Sequence, residues 1–113
     1  MQNIKPTILS NEFYEIITNS TNDLSKEFMN ELIRHKEELN WLLGSYYGQE
    51  RGSVYDHSID QSSIEIDKNG KGSFITNFDI YYALEGYTDK SKMKIEFQID
   101  LKTKEIIFKG EDR

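Results

Sequence analysis

The two histidines of this chain are the side chains best suited to acid–base chemistry near neutral pH. His57 stands in the run Asp56-His57-x-x-Asp60, which places a base and two carboxylates close together. A metal site needs a third or fourth ligand in a defined geometry, and the sequence does not identify one. A solvated acidic loop is therefore favoured. His35 could act as a general base or pH switch, or it could lie at the core edge with a satisfied hydrogen bond. The second interpretation is favoured because spacing assigns it no Ser, Asp or Glu partner.

Residues 67–78, DKNGKGSFITNF, resemble the start of an EF-hand calcium loop. The matching positions are Asp67, Asn69, Gly72 and Phe74. Lys71 replaces a ligand, however, and Phe78 replaces the bidentate glutamate on which such loops depend. The flanking residues alternate as strands rather than helices, so a hairpin turn is predicted. No metal, cofactor or catalytic residue is expected, and the chain is predicted not to be an enzyme.

Aromatic and acidic residues gather around the middle of the chain and form the first candidate partner-binding surface. Its members are Tyr46, Tyr47, Glu50, Tyr55, Asp56 and Asp60. Tyrosine and tryptophan anchor many protein interfaces. Core packing is nevertheless expected to take at least half of the aromatic cluster that Trp41, Tyr46, Tyr47 and Tyr55 form. A second candidate surface is the solvated face of the sheet, where four residues are too apolar for open solvent unless the first helix covers them. These are Ile75, Tyr81, Ala83 and Ile107.

The charge distribution favours a basic protein as the partner. The net charge is −6, and residues 44–70 hold five acids against two bases, whereas residues 71–113 hold eight of each. Nucleic acid is disfavoured because phosphate contacts need lysine and arginine, and an acidic surface attracts a basic partner. The absence of cysteine, of a secretory signal and of a membrane-spanning apolar run leads us to expect a cytoplasmic protein without membrane contact.

The element around which the fold is expected to form is the strand over residues 92–102, KMKIEFQIDLK, which alternates apolar and polar residues throughout. Two helices are predicted before it, over about residues 8–18 and 22–43. The second has an apolar stripe, with Gly44 expected as its C-terminal cap. The stripe consists of Leu24, Phe28, Leu32, His35, Leu39 and Leu42.

The remaining segments complete a single α+β domain over residues 1–113. Residues 1–6 are expected to be flexible, and residues 44–63 to be irregular apart from a short strand around Val54. Residues 64–109 are predicted to form a four-stranded antiparallel β-meander. The predicted fold is therefore two N-terminal helices packed on this meander.

Turn chemistry predicts the register of the first hairpin. A two-residue turn at Asn69-Gly70 would pair Ile66 with Ser73, whereas a three-residue loop with Gly70 left-handed would pair Ile64 with Phe74. The second is favoured because it keeps the apolar residues on one face. The other predicted pairs are Leu84 with Met93 and Glu85 with Lys92, around a turn near Thr88, and Ile99 with Ile106 and Phe97 with Phe108, around the last turn.

Two hypotheses for function follow. Small, acidic, cysteine-free α+β proteins of this type resemble bacterial immunity proteins, which neutralise toxins, and phage-encoded inhibitors. The resemblance implies a binding protein that blocks a basic protein partner. The alternative is a pocket protein that resembles the cystatin-like or NTF2-like folds, in which His35 and Tyr82 would line a cavity for a small molecule or a reaction. The first is favoured because no catalytic triad, metal set or phosphate loop is present.

Overall fold

The computed structural model describes residues 7–19, 24–47, 52–67 and 69–110, and within them it leaves out the side chains of Tyr47 and Asp56. Within these described ranges there are three helices and a five-stranded antiparallel sheet with the strand order β1-β5-β4-β3-β2. The helices are α1 (Asn11–Asn19), α2 (Ser25–Arg34) and α3 (Lys36–Tyr47). The strands are β1 (Thr7–Ile8), β2 (Gly52–Ile66), β3 (Lys71–Tyr82), β4 (Tyr87–Asp100) and β5 (Glu105–Lys109). The predicted α+β class and antiparallel sheet are confirmed, but the arrangement has one more helix and one more strand than predicted.

The long helix predicted over residues 22–43 is divided at His35. The His35 amide donates to the Leu32 carbonyl, three residues back, and its carbonyl accepts from the Leu39 amide, so the chain tightens for one turn and restarts. All six residues of the predicted apolar stripe are nevertheless buried. Gly44 does not cap the helix. The helix continues to Tyr47, and the Tyr46 ring packs against the core beside Gly110.

The segment predicted to be irregular, residues 44–63, contains most of a long strand instead. β2 pairs with β3 along its length, but its register shifts between Tyr55 and Ser58 and again between Asp60 and Glu65. Each shift reverses which residues face the core, as β-bulges do. The alternation of apolar and polar residues is therefore interrupted, which is why the sequence does not predict this strand.

The registers of the first and last hairpins are as predicted. Ile66 lies opposite Gly72 and Glu65 opposite Ser73 around a left-handed Gly70, which is the three-residue-loop register. The last hairpin pairs the residues Phe97 with Phe108 and Ile99 with Ile106.

The predicted register between β3 and β4 is wrong. Met93 lies opposite Thr76 rather than Leu84, and Tyr82 lies opposite Tyr87. The chain turns before Thr88, because left-handed Gly86 closes a tight turn in which its amide donates to the Tyr82 carbonyl. The displacement is an even number of residues, so the predicted faces of the two strands are kept. Leu84, predicted to be buried, lies exposed in the turn.

The core lies between the helices and one face of the sheet. Phe28 of α2 is central to it, with its ring 4.5 Å from that of Phe97, 5.3 Å from Phe13 and 6.4 Å from Phe74. Because Phe13 belongs to α1, the first helix packs on the same side of the sheet as α2. The opposite side of the sheet is not covered by these helices, and on β4 every second residue from Lys92 to Asp100 is exposed. We call this side the open face; its principal side chains are Tyr55, Asp60, Glu65, Ile75, Asp79, Tyr81, Lys90, Lys92, Lys94, Glu96 and Ile107.

Candidate functional site

Two tyrosines on neighbouring strands mark one end of the open face. Tyr55 lies on β2 opposite Asp79, and Tyr81 lies on β3 opposite Ser53, one row further along. Both rings are exposed, with 39% and 42% of their surface accessible, and the Tyr55 hydroxyl lies 3.3 Å from that of Thr88 on β4. Each ring combines apolar area with a polar hydroxyl, so the two side chains could contact a partner.

In the part of the open face between Asp60 and Tyr81, the exposed charges of the two strands beside β3 differ in sign. On β2, the outermost strand, Asp60 and Glu65 are exposed acids. On β4, three exposed lysines follow one another at every second position, where side chains share a face. They are Lys90, Lys92 and Lys94, and the first lies 3.9 Å from Asp79. The face therefore has an acidic edge and a basic stripe, with β3 between them.

A groove of about 660 Å³ crosses the open face near the β2–β3 turn. Its charged lining is mixed and comprises Glu65, Asp67 and Glu96 together with Lys71, Lys94 and Lys109, beside the exposed Ile107. Neither His35 nor Tyr82, the two residues predicted to line a pocket, is part of it. The groove is thus a feature of the contact surface and lies on the side of the sheet away from the helices.

A buried polar cluster joins the start of α1 to the end of α2. Glu31 and His35 are only 2% and 4% exposed, and His35 Nε2 lies 2.9 Å from Glu31 Oε2. Ser10 donates from its hydroxyl to Glu31 Oε1 at 2.7 Å and from its amide to Oε2 at 3.0 Å. Burial alone would raise the pKa of the Glu31 carboxyl, but the hydrogen bonds from His35 and Ser10 outweigh it, and the pKa lies below its ordinary value.

This cluster does not have the geometry of a nucleophilic site. A base must take the proton of the attacking hydroxyl, yet the Ser10 hydroxyl donates to Glu31 rather than to His35. Both carboxylate oxygens already accept hydrogen bonds within the protein. His35 is therefore a core histidine with a satisfied hydrogen bond, as the sequence indicates. Its partner Glu31, four residues earlier on the same helix face, was missed, although that spacing is a recognisable signal.

His57 faces the helices. Its Nε2–H donates to the Lys36 carbonyl at the start of α3 over 3.3 Å, while Nδ1 is buried without a hydrogen-bond partner. Burial is the main reason why its pKa is lowered, and the charge of Lys36 acts in the same direction. Asp60 instead accepts hydrogen bonds from the amide and hydroxyl of Ser62. Within the described residues, no three His, Cys, Asp or Glu side chains are grouped so as to hold a metal ion.

The structure separates some of the predicted partner-binding residues and joins others. Tyr46 packs against the core, whereas Tyr55 and Asp60 lie on the open face. Glu50 lies outside the described residues, as do the side chains of Tyr47 and Asp56. Tyr81 and Ile107, from the second candidate surface, lie on the same open face as Tyr55, and α1 packs on the opposite side. Parts of the two surfaces that the sequence suggested separately therefore form one surface.

None of the helices in the described part of the chain has the length and apolarity that crossing a membrane requires. Comparison of the chain with protein-family models, with curated proteins and with solved structures yields no match.

Proposed function

We propose that this protein is a binding protein that recognises and inhibits a basic protein partner through the open face of its sheet. The observation that carries the proposal is the exposure of Tyr55 and Tyr81 on adjacent strands of a face that the helices leave uncovered. Tyrosine is among the residues that contribute most to binding energy at protein interfaces, since it offers a large contact area together with a polar group.

The acids of the open face supply the electrostatic part of the proposal. Asp60 and Glu65 lie on the outermost strand, where they would form the rim of an interface centred on β3. Rim charges act mainly on the rate of encounter, and the net charge of −6 attracts a basic partner from a distance. A partner that is blocked by a small acidic protein in this way fits the toxin-immunity or phage-inhibitor type.

The alternative function, a pocket protein for a small molecule, draws its support from the groove. Its volume falls in the range of small-molecule sites, which bury most of the ligand among apolar groups. This groove, however, is open and is lined by six charged side chains, and the buried Glu31–His35 pair is not part of it. A basic protein that also presents acidic groups to Lys71, Lys94 and Lys109 is the better match for such a surface.

Binding kinetics test the proposal with a partner co-purified on the tagged wild-type protein. The double variant Asp60→Lys/Glu65→Lys should associate about tenfold more slowly at low salt, with a flatter salt dependence and little change in dissociation. Tyr81→Ala should instead speed dissociation, on the order of 30-fold if the ring is a desolvated anchor.

The matched control is Glu15→Lys/Glu37→Lys, which makes the same change in net charge at exposed helix positions. It should slow association far less than the open-face variant. Equal slowing by both double variants would show that only net charge matters, and a Tyr81→Ala dissociation rate equal to wild type would exclude the open face as the site.

A further inference from the structure

On the open face, β2 and β4 lie on either side of β3, and the register of the sheet aligns their residues in rows across the three strands. In one row, Asp60 of β2, Ile75 of β3 and Lys94 of β4 lie side by side. Two rows further along, the corresponding residues are Tyr55, Asp79 and Lys90. The strands on either side of β3 thus present groups that attract each other: an acid and an aromatic ring on β2, and lysines on β4.

A two-fold axis parallel to β3 would bring these groups together between two copies. Such a rotation lays β2 of one copy over β4 of the other and keeps each row opposite itself. Asp60 then faces Lys94 of the second copy, and Tyr55 faces Lys90, a pair of residue types that can form a cation–π contact. Both contacts occur twice, because an isologous interface repeats every pair. Ile75 and Tyr81, which lie on β3, meet their own counterparts at the axis.

We propose that a second copy of this chain covers the open face when no other partner is bound. Like charges that would meet between the two copies determine how far the contact extends along the strands. Asp79 also lies near the axis, where Lys90 of its own chain compensates it at 3.9 Å. Glu65 would face Glu96, since both lie in one row with Ser73 between them, so the contact ends at that row. The rows from Tyr81 to Ile75 remain, and they include the exposed tyrosines.

The contact between the two copies is small. Three strands and seven residues of length cover about 15 Å by 23 Å, from strand spacing and rise. The area of this contact is smaller than that of the interfaces of stable dimers. The dimer is accordingly weak, with a dissociation constant on the order of 100 μM. Self-association does not depend on the proposed partner, but it uses the same face, so the second copy and the partner compete.

Sedimentation equilibrium of the purified full chain tests the inference, at concentrations from about 20 μM to 1 mM. The wild type should pass from monomer to dimer over this range. Asp60→Lys and Lys94→Asp, each alone, bring like charges together twice per dimer, so each should weaken the dimer at least about 100-fold and remain monomeric. An equimolar mixture of the two single variants should form a dimer again, because every 60–94 contact in the mixed pair joins opposite charges.

The control Glu15→Lys has the same charge change as Asp60→Lys on an exposed position of α1, and it should dimerise like the wild type. Circular dichroism melts establish that all variants are folded. A wild type that stays monomeric throughout the range, single variants that dimerise as the wild type does, or a mixture that remains monomeric would each overturn the inference. None of these results bears on binding of a different protein, so the two proposals fail separately.

Discussion

Replacing Phe97 by alanine is expected to lower the free energy of unfolding by about 3–5 kcal/mol, the usual cost of removing a buried phenylalanine ring. Phe97 is 3% exposed, and its ring lies 4.5 Å from that of Phe28 and 6.1 Å from that of Phe74. Because Phe97 of β4 packs against Phe28 of α2, its removal leaves a cavity between this helix and the sheet. Urea denaturation followed by circular dichroism measures the change.

The matched control for Phe97 is Ile33→Ala, since Ile33 is a large apolar residue of α2 that is exposed to solvent. Its replacement should change the free energy of unfolding by no more than about 0.5 kcal/mol. Equal effects of the two substitutions would mean that α2 does not pack on β4 through Phe28, and the described core would be wrong.

Glu31→Ala is expected to destabilise the fold by about 2–5 kcal/mol, because it leaves buried donors of Ser10 and His35 without an acceptor. Glu31→Gln keeps the size of the side chain and one acceptor oxygen, so it should cost less. Glu12→Ala, an exposed acid of α1, serves as the control and should have little effect. If the Glu31→Ala protein were as stable as this control, the hydrogen bonds of Glu31 with Ser10 and His35 would not contribute to stability.

The pH dependence of Glu31 gives a second readout of the same cluster. The pKa of Glu31 is lower in the folded protein than its ordinary value of 4.5, so the folded state binds fewer protons than the unfolded state in this range. Its contribution to stability is therefore complete above about pH 4.5 and is lost as the pH falls through the lower, folded pKa. The stability difference between wild type and Glu31→Gln should shrink over this interval, and a constant difference would contradict the assigned hydrogen bonds.

Local patterns in the sequence were sufficient for much of the fold. The alternation over residues 92–102 predicted β4 and its buried face, and the left-handed position of Gly70 predicted the register of the first hairpin. The β3–β4 register failed because several turn positions were compatible with the same alternation, and Gly86, not the residues near Thr88, closes the turn. The helix break at His35 left no signal in the apolar stripe, which continues through it.

The open face was harder to predict than the strands that form it. Tyr55 and Tyr81 are far apart in sequence, and they come together because β2 pairs with β3. The two register shifts of β2 interrupt its alternation of apolar and polar residues, so the sequence does not indicate this strand. Which side of the sheet the helices cover follows from the path of the chain, not from any strand alone. Tyr46 illustrates the same limit, since its burial depends on a contact with Gly110 at the other end of the sequence.

Site-specific photo-crosslinking tests most directly whether the open face is the partner-binding surface. A photoreactive phenylalanine analogue is placed at Tyr81 or, as the control on the helix side, at Ile33, both of which are exposed. The protein is irradiated in lysate of the cells that produce it, and adducts are identified by mass spectrometry, which separates a second copy of the chain from another protein. We expect a defined adduct with a basic protein from position 81 and none from position 33. An adduct with that protein from position 33 but not from position 81 would contradict it.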